Sequence, residues 1–203
     1  AIVSTATFHW IGDHDRLLSR VRVALTQVHH VTAVCAPYAR NKYAGVPLDW
    51  IAGLRDLPDV YAVLVEADGS RKMPFKAPRA GEPVIPECAT VLIAVAGLSV
   101  IGQPLDEAHV CRADIVAQLT GKRIGDVVEA ADIATVLTHG EGGLKGKPPA
   151  ARAIALLNQA DDDERMGWGE RIAGMIQAHG TFNQIIIASL ENAGVRATVQ
   201  INA

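Results

Sequence analysis

Short, near-continuous apolar runs constrain this chain more than any other feature of its sequence. They fall at residues 61–68 (YAVLVEAD), 91–96, 153–157 and 184–189. A strand that is apolar on both of its alternating faces has to be covered on both, and a parallel sheet between helices provides that cover. The stretches between the runs have helical spacing instead. In residues 13–29, Leu17, Leu18, Val21, Leu25 and Val28 share a face, with Asp13 placed as an N-cap. Further helices are expected at 105–119, 127–137 and 163–179, and a short one begins near Pro47, where proline suits a first turn. Residues 1–8 and 30–35 read as two more strands. Aromatic residues make up only 4% of the chain, so Ala, Val, Leu and Ile must build the core. The expected class is α/β, a mostly parallel sheet with helices on both faces.

At 203 residues the chain is long enough for one domain with a substantial core, and a single domain over 1–203 is expected. It opens at Ala1, without an initiator Met and within an apolar run, so that domain is expected to be incomplete at its N-terminus. The formal net charge of -3 offers no basic footprint for nucleic acid or an anionic membrane. No apolar run approaches the ~20 residues of a membrane span. Cys35, Cys88 and Cys111 are far apart and show no metal or redox spacing. They read as buried thiols in a reducing compartment, and a cytoplasmic location is expected. The seven histidines form no H-x-x-x-H pair, and no serine sits in a G-x-S-x-G elbow.

Four segments carry candidate chemistry. In residues 64–71 (LVEADGSR), Glu66 and Asp68 stand at the carboxyl end of an apolar strand, where ligands of open α/β sheets bind. Their spacing puts both on one side of an extended chain. Acids at this place hold Mg²⁺ beside phosphates in nucleotide-binding proteins, and Ser70 and Arg71 can donate to an anion. The bland alternative is a strand end capped by solvated acids. Residues 69–86 are too rich in proline for a helix or a central strand. Within them Lys72, Lys76 and Arg79 face Glu82 on a stiff framework, which suits either an anion contact or a rigid surface connection. Residues 140–149 (GEGGLKGKPP) carry Lys145 and Lys147 in a glycine-rich loop. It departs from a standard phosphate loop in spacing and in Pro148, and reads first as a hinge. Residues 69–86 and 138–150 are thus expected to be two long functional loops. The fourth segment, Asn158 to Asp161 (NQAD), follows an apolar strand. Its Asn-x-x-Asp pattern is similar to a guanine-reading element, although Gln159 stands where a lysine is usual, and the same residues also make an ordinary loop and N-cap.

Taken in order, LVEADGSR, KAP, EPVIP, AGLSVIGQPLDEAHVCR, LTHGEGGLKGKPP and LLNQAD resemble the family of selenium-dependent hydroxylase accessory proteins of the YqeC type. The resemblance covers most of residues 61–161 and implies a P-loop NTPase-like, Rossmann-like three-layer fold. It implies Mg²⁺ and a nucleoside triphosphate as ligands, with Glu66 and Asp68 near the metal as the catalytic acids. It places Thr5 and Thr7 in a threonine-rich strand end and Asn158 and Asp161 beside the base. Ser70, Arg71, Lys76 and Lys145 complete the expected nucleotide and anion contacts. The implied role is maturation of molybdenum hydroxylases, with such an enzyme or its cofactor as partner and an NTPase or nucleotide-dependent transferase as the activity. The departures are two: no glycine–lysine loop precedes Ala1, and Gln159 replaces the base-side lysine. Both favour the alternative, a non-catalytic scaffold or cofactor-carrying module with a degenerate NTPase-like core.

Overall fold

The computed structural model describes residues 2–4, 37–39, 42–43, 48–56, 62–192 and 194–200. It is α/β, with a mixed six-stranded sheet and, among the described residues, four α-helices. The strands are β1 (Ile2–Ser4), β2 (Pro37–Ala39), β3 (Lys42–Tyr43), β4 (Leu64–Glu66), β5 (Phe75–Lys76), β6 (Val91–Gly97), β7 (Val110–Cys111), β8 (Arg152–Asn158), β9 (Gln184–Ser189) and β10 (Gly194–Gln200). The helices are α1 (Leu48–Arg55), α2 (Ala113–Thr120), α3 (Ala130–Thr138) and α4 (Asp163–His179). The main sheet runs β10-β9-β8-β6-β1-β4. Every pairing in it is parallel except β9 with β10. Among these strands the chain order reverses between β1 and β6, the kind of position where such sheets leave a crevice.

The register explains where the core lies. Ala94 of β6 stands opposite Ala155 of β8, which stands opposite Ile185 of β9; the next layer is Ala96, Leu157 and Ile187. All six are buried. Small residues in the central strands let α3 and α4 approach closely, and Ile133, Val136, Ile172 and Ile176 fill the space above them. Gly169 marks the tightest approach, because a Cβ there would lie 2.9 Å from Ile187 Cγ2. The alternate residues Ile93, Val95, Ile154, Leu156 and Ile186 are only half-buried.

The longest helix has clean stops. The Asp162 carboxylate accepts from Arg165 N at 2.8 Å, and Gly180 closes the other end in the left-handed region, φ 66. The expected helix at 105–119 is shorter than its pattern. The Asp106 carboxylate accepts from Ala108 N and His109 N at 3.0 and 3.1 Å, which locks a turn in place of a first helical turn. Residues 110–111 then form β7 parallel to β5, and Arg112 takes φ 63 before α2 begins. Helix α3 starts at Ala130, behind a capping box of Glu129 and Asp132, instead of at 127. The β2–β3 hairpin, the β5–β7 pair and β10 were not expected. The first two are too short to show a period, and β10 alternates half-buried and exposed residues. The expected helix at 13–29 and strand at 30–35 lie outside the described residues. Among the described residues no helix is long and apolar enough to cross a membrane.

Candidate functional site

Beyond the carboxyl end of β4 the chain turns inward. Ala67 accepts a backbone hydrogen bond from Val84 N at 3.2 Å, which ties the proline-rich segment back onto the strand, and Asp68 is buried beneath it. The turn that follows is strained: Arg71 and Lys72 both take the left-handed region, φ 56 and 67, at about 1–2 kcal/mol each for non-glycine residues. It delivers β5, which is fixed twice. Pro74 O accepts from Gly97 N at 2.7 Å, at the end of β6, and the pairing with β7 sets Lys76 opposite Cys111.

Lys76 Nζ forms an ion pair with Asp68 Oδ2, and the two side chains are 5% and 4% exposed. The same ammonium donates to Gly69 O at 2.8 Å. Arg112, one residue beyond β7, pairs through Nη2 with Glu82 Oε2 and holds Nη1 3.9 Å from Asp68 Oδ1. Arg79 Nε donates to the other Glu82 oxygen at 3.0 Å. Burial pushes the Asp68 carboxyl above its ordinary range, against the pull of Lys76. Burial likewise pushes the Lys76 ammonium down, against the pull of Asp68. Glu82 Oε2 has its ion pair with Arg112 Nη2, whereas Arg112 Nη1 is buried without a hydrogen-bond partner.

A small, open cleft adjoins the pair, lined by Asp68, Lys76, Pro78, Pro83, Val95, Val136, Leu137, Gly142 and Gly143. Its far wall is the glycine-rich loop. Gly143 N donates to Val136 O at 2.8 Å and Gly142 N to His139 O at 2.9 Å, so these amides cap the end of α3. A Cβ at Gly142 would meet Val136 O at 2.0 Å, and one at Gly143 would meet Leu137 O at 2.6 Å. The glycines are there for close backbone packing. The two loops meet where Lys145 Nζ donates to Arg79 O at 3.3 Å, next to its ion pair with Glu141 at 3.0 Å.

The profile described as YqeC protein matches residues 3–114. The chain belongs to the YqeC family. The Escherichia coli (strain K12) protein described as uncharacterized protein YqeC is 29% identical to it over 140 residues, 69% of this chain and 55% of that protein. The chain therefore spans about half the length of the curated relative it matches. No solved structure matches it. Asp68, Lys76, Glu82 and Arg112 all fall inside the segment that matches the YqeC profile, whereas Lys145, Asn158 and Asp161 lie beyond it.

The expected site residues of this YqeC family member do not all come together. Asp68, Ser70 and Lys76 are all buried at the strand end, and Asp68 and Lys76 are in contact. Glu66 and Arg71 lie nearby in sequence but are exposed, so the expectation that Glu66 and Asp68 lie on one side of an extended chain meets a difference in burial. The strand stops at Glu66, and beyond it the alternation that would align them no longer holds. Asn158 and Asp161 sit apart, where β8 meets β9: Asn158 Oδ1 accepts from Leu190 N at 3.1 Å, and Asp161 Oδ1 from Ser189 Oγ at 2.6 Å. Gln159 takes φ 67, and its Oε1 accepts from Ser99 Oγ at 2.7 Å above Gly97. Thr5 and Thr7 lie outside the described residues.

Arg112 was not anticipated. It stands inside an apparent helical pattern, and only the β5–β7 pairing brings it to Asp68. Among the described residues no three His, Cys, Asp or Glu side chains are placed to hold a metal ion. A Mg²⁺ that arrives with a nucleotide needs fewer protein ligands, because it keeps waters and takes phosphate oxygens. Asp68, the buried carboxylate at the strand end, is engaged by Lys76.

Proposed function

We propose that this YqeC family member is a nucleotide-linked accessory factor with a P-loop NTPase-like fold. It acts in the maturation of selenium-dependent molybdenum hydroxylases and takes a nucleoside triphosphate with Mg²⁺ at the ends of its strands. The observation that carries the reading is the buried Lys76–Asp68 pair, joined by Arg112 and opening on a cleft beyond the carboxyl end of β4. A buried charge pair is weak evidence for stability, since apolar residues of similar volume often serve as well or better. Perturbed, partly compensated charges in a cleft are instead a common mark of a functional site. Four cations, Lys76, Arg79, Arg112 and Lys145, stand against three carboxylates, Asp68, Glu82 and Glu141. The local balance therefore favours an anion. In this reading Lys76 and Arg71 contact phosphate, Ser70 donates to it, and Asp68 and Glu66 position Mg²⁺ or its water. Asn158 and Asp161 shape the base side.

Titration of the full-length protein with ATP, GTP, CTP and molybdopterin nucleotides, with and without Mg²⁺, tests this directly. Mg²⁺-dependent binding of one of them, lost in Asp68→Asn, supports it. Equal affinity in Asp68→Asn removes Asp68 from the site.

One observation favours a second reading, a scaffold or cofactor-carrying module with a degenerate core. Asp161, Asn158 and Gln159 all have their side chains engaged within the protein, by Ser189, Leu190 N and Ser99. A protein that binds a molybdenum hydroxylase equally well with and without nucleotide would follow that reading.

A further inference from the structure

Arg112 has three properties that a purely structural ion-pair partner does not need. Its backbone is held in the left-handed region at φ 63 and ψ 57, directly before α2, although it is not a glycine. It contributes no side-chain cap to that helix; Glu107 Oε1 accepts from Ala113 N at 2.9 Å instead. Its side chain is only 13% exposed, yet Nη1 is buried without a hydrogen bond, 3.9 Å from the Asp68 carboxylate. A guanidinium presents five donors in a rigid fork and is weakly hydrated, so it suits two-point contact with a phosphate-class oxyanion. Leaving one of its buried nitrogens without a partner is unfavourable unless something else takes it.

Glu82 explains how this group is kept in place. Its two carboxylate oxygens face Arg79 and Arg112, so the proline-rich segment holds the guanidinium beside the Asp68–Lys76 pair. In doing so Glu82 occupies part of the cationic fork as an internal anion. Lys76 has the same relation to Asp68. Lys76 lines the cleft and Arg112 stands behind its Asp68 wall, and each of these cations is paired with a carboxylate of the protein itself.

We propose that Arg112, which stands behind the cleft beside Asp68, is a second anion-binding residue, acting with Lys76 on a phosphate-class oxyanion, and that Glu82 competes with the ligand for it. The inference rests on the reading of the cleft as an anion site, but it does not require that the anion belong to a nucleotide. A ligand phosphate draws Arg112 Nη1 and Nη2 together and releases the Glu82 carboxylate toward Arg79 alone.

The test uses the full chain and inorganic pyrophosphate as the probe, titrated calorimetrically at low and moderate salt, with thermal melts run in parallel. Arg112→Gln is expected to weaken pyrophosphate binding at least about tenfold, as loss of a charge-assisted contact does. Arg112→Lys, which keeps the charge but not the fork, should recover only part of it. Glu82→Gln is expected to tighten binding about threefold, because it removes the competing anion. A structural role for Arg112 gives the opposite pattern: Arg112→Gln and Glu82→Gln would lower the melting temperature and weaken binding together. That result overturns the inference, as does unchanged affinity in Arg112→Gln with Lys76→Gln weakened. A wild-type chain that binds pyrophosphate but no nucleotide overturns the nucleotide reading and leaves Arg112 in its role. A wild-type chain that binds neither overturns both.

Discussion

Lys76 Nζ and Asp68 Oδ2 meet in an ion pair that is almost wholly withdrawn from water, at the point where the sheet's first edge strand gives way to the proline-rich loop. Such a pair behaves asymmetrically. Removing one partner leaves a buried charge without compensation, whereas removing both can be nearly neutral. Asp68→Ala should therefore destabilise the fold by about 3 kcal/mol. The double variant Asp68→Asn with Lys76→Met should lie within about 1 kcal/mol of the wild type. Urea unfolding of the three proteins measures both, and a double variant as unstable as the single one would contradict this account.

The pair also predicts the sign of a pH effect. In Lys76→Met the carboxyl loses the ammonium that opposes its upward shift, so its folded pKa stays raised above the unfolded value. Between the two values the folded state binds more protons than the unfolded one. The variant's stability then falls as pH rises through that window. Relative to wild type, Lys76→Met should be least destabilised near pH 4 and more so by pH 7. Urea midpoints at steps of one pH unit test it, and a penalty that shrinks on raising the pH would be the wrong sign.

The glycine-rich loop separates packing from flexibility. A side chain at Gly142 or Gly143 runs into a backbone carbonyl of α3, which cannot rotate away, while nothing lies within 4 Å of a Cβ at Gly140. Gly143→Ala should cost about 2–3 kcal/mol as an overpacked site. Gly140→Ala should be neutral or slightly stabilising, by up to about 1 kcal/mol, because it restricts the unfolded chain. Equal melting temperatures for the two variants would mean that the loop does not pack as described.

Asp161 joins two strand ends, through Ser189 Oγ, Asn192 Nδ2 at 3.3 Å and Arg165 Nη1 at 3.1 Å. Asp161→Ala should lower stability by about 1–3 kcal/mol without any nucleotide present, since it leaves the buried Ser189 hydroxyl without this acceptor. Thermal melts of ligand-free protein check this. A variant as stable as wild type that has lost nucleotide affinity would assign Asp161 to the ligand instead.

The strands that form the middle of the sheet were legible in the sequence as unbroken apolar runs, with one face buried and the other half-buried among the described residues. The runs expected at 91–96 and 184–189 correspond to β6, Val91–Gly97, and β9, Gln184–Ser189. The helix expected at 163–179 is α4, Asp163–His179, and the structure caps it with Asp162 and Gly180. Residues 105–112 misled for a physical reason: their apolar spacing suits a helix, but the Asp106 side chain bonds the amides that would begin one.

The sequence by itself determined the α/β class, the principal strands and the acid at the end of β4, all of which depend on local pattern and burial. Tertiary structure decided which charges meet. Glu66 and Asp68, two residues apart, differ in burial, while Lys76 and Arg112 reach the same carboxylate from opposite members of a two-residue strand pair. Contacts of that kind are set by long-range pairing and by the closing of loops, and no spacing within one segment encodes them.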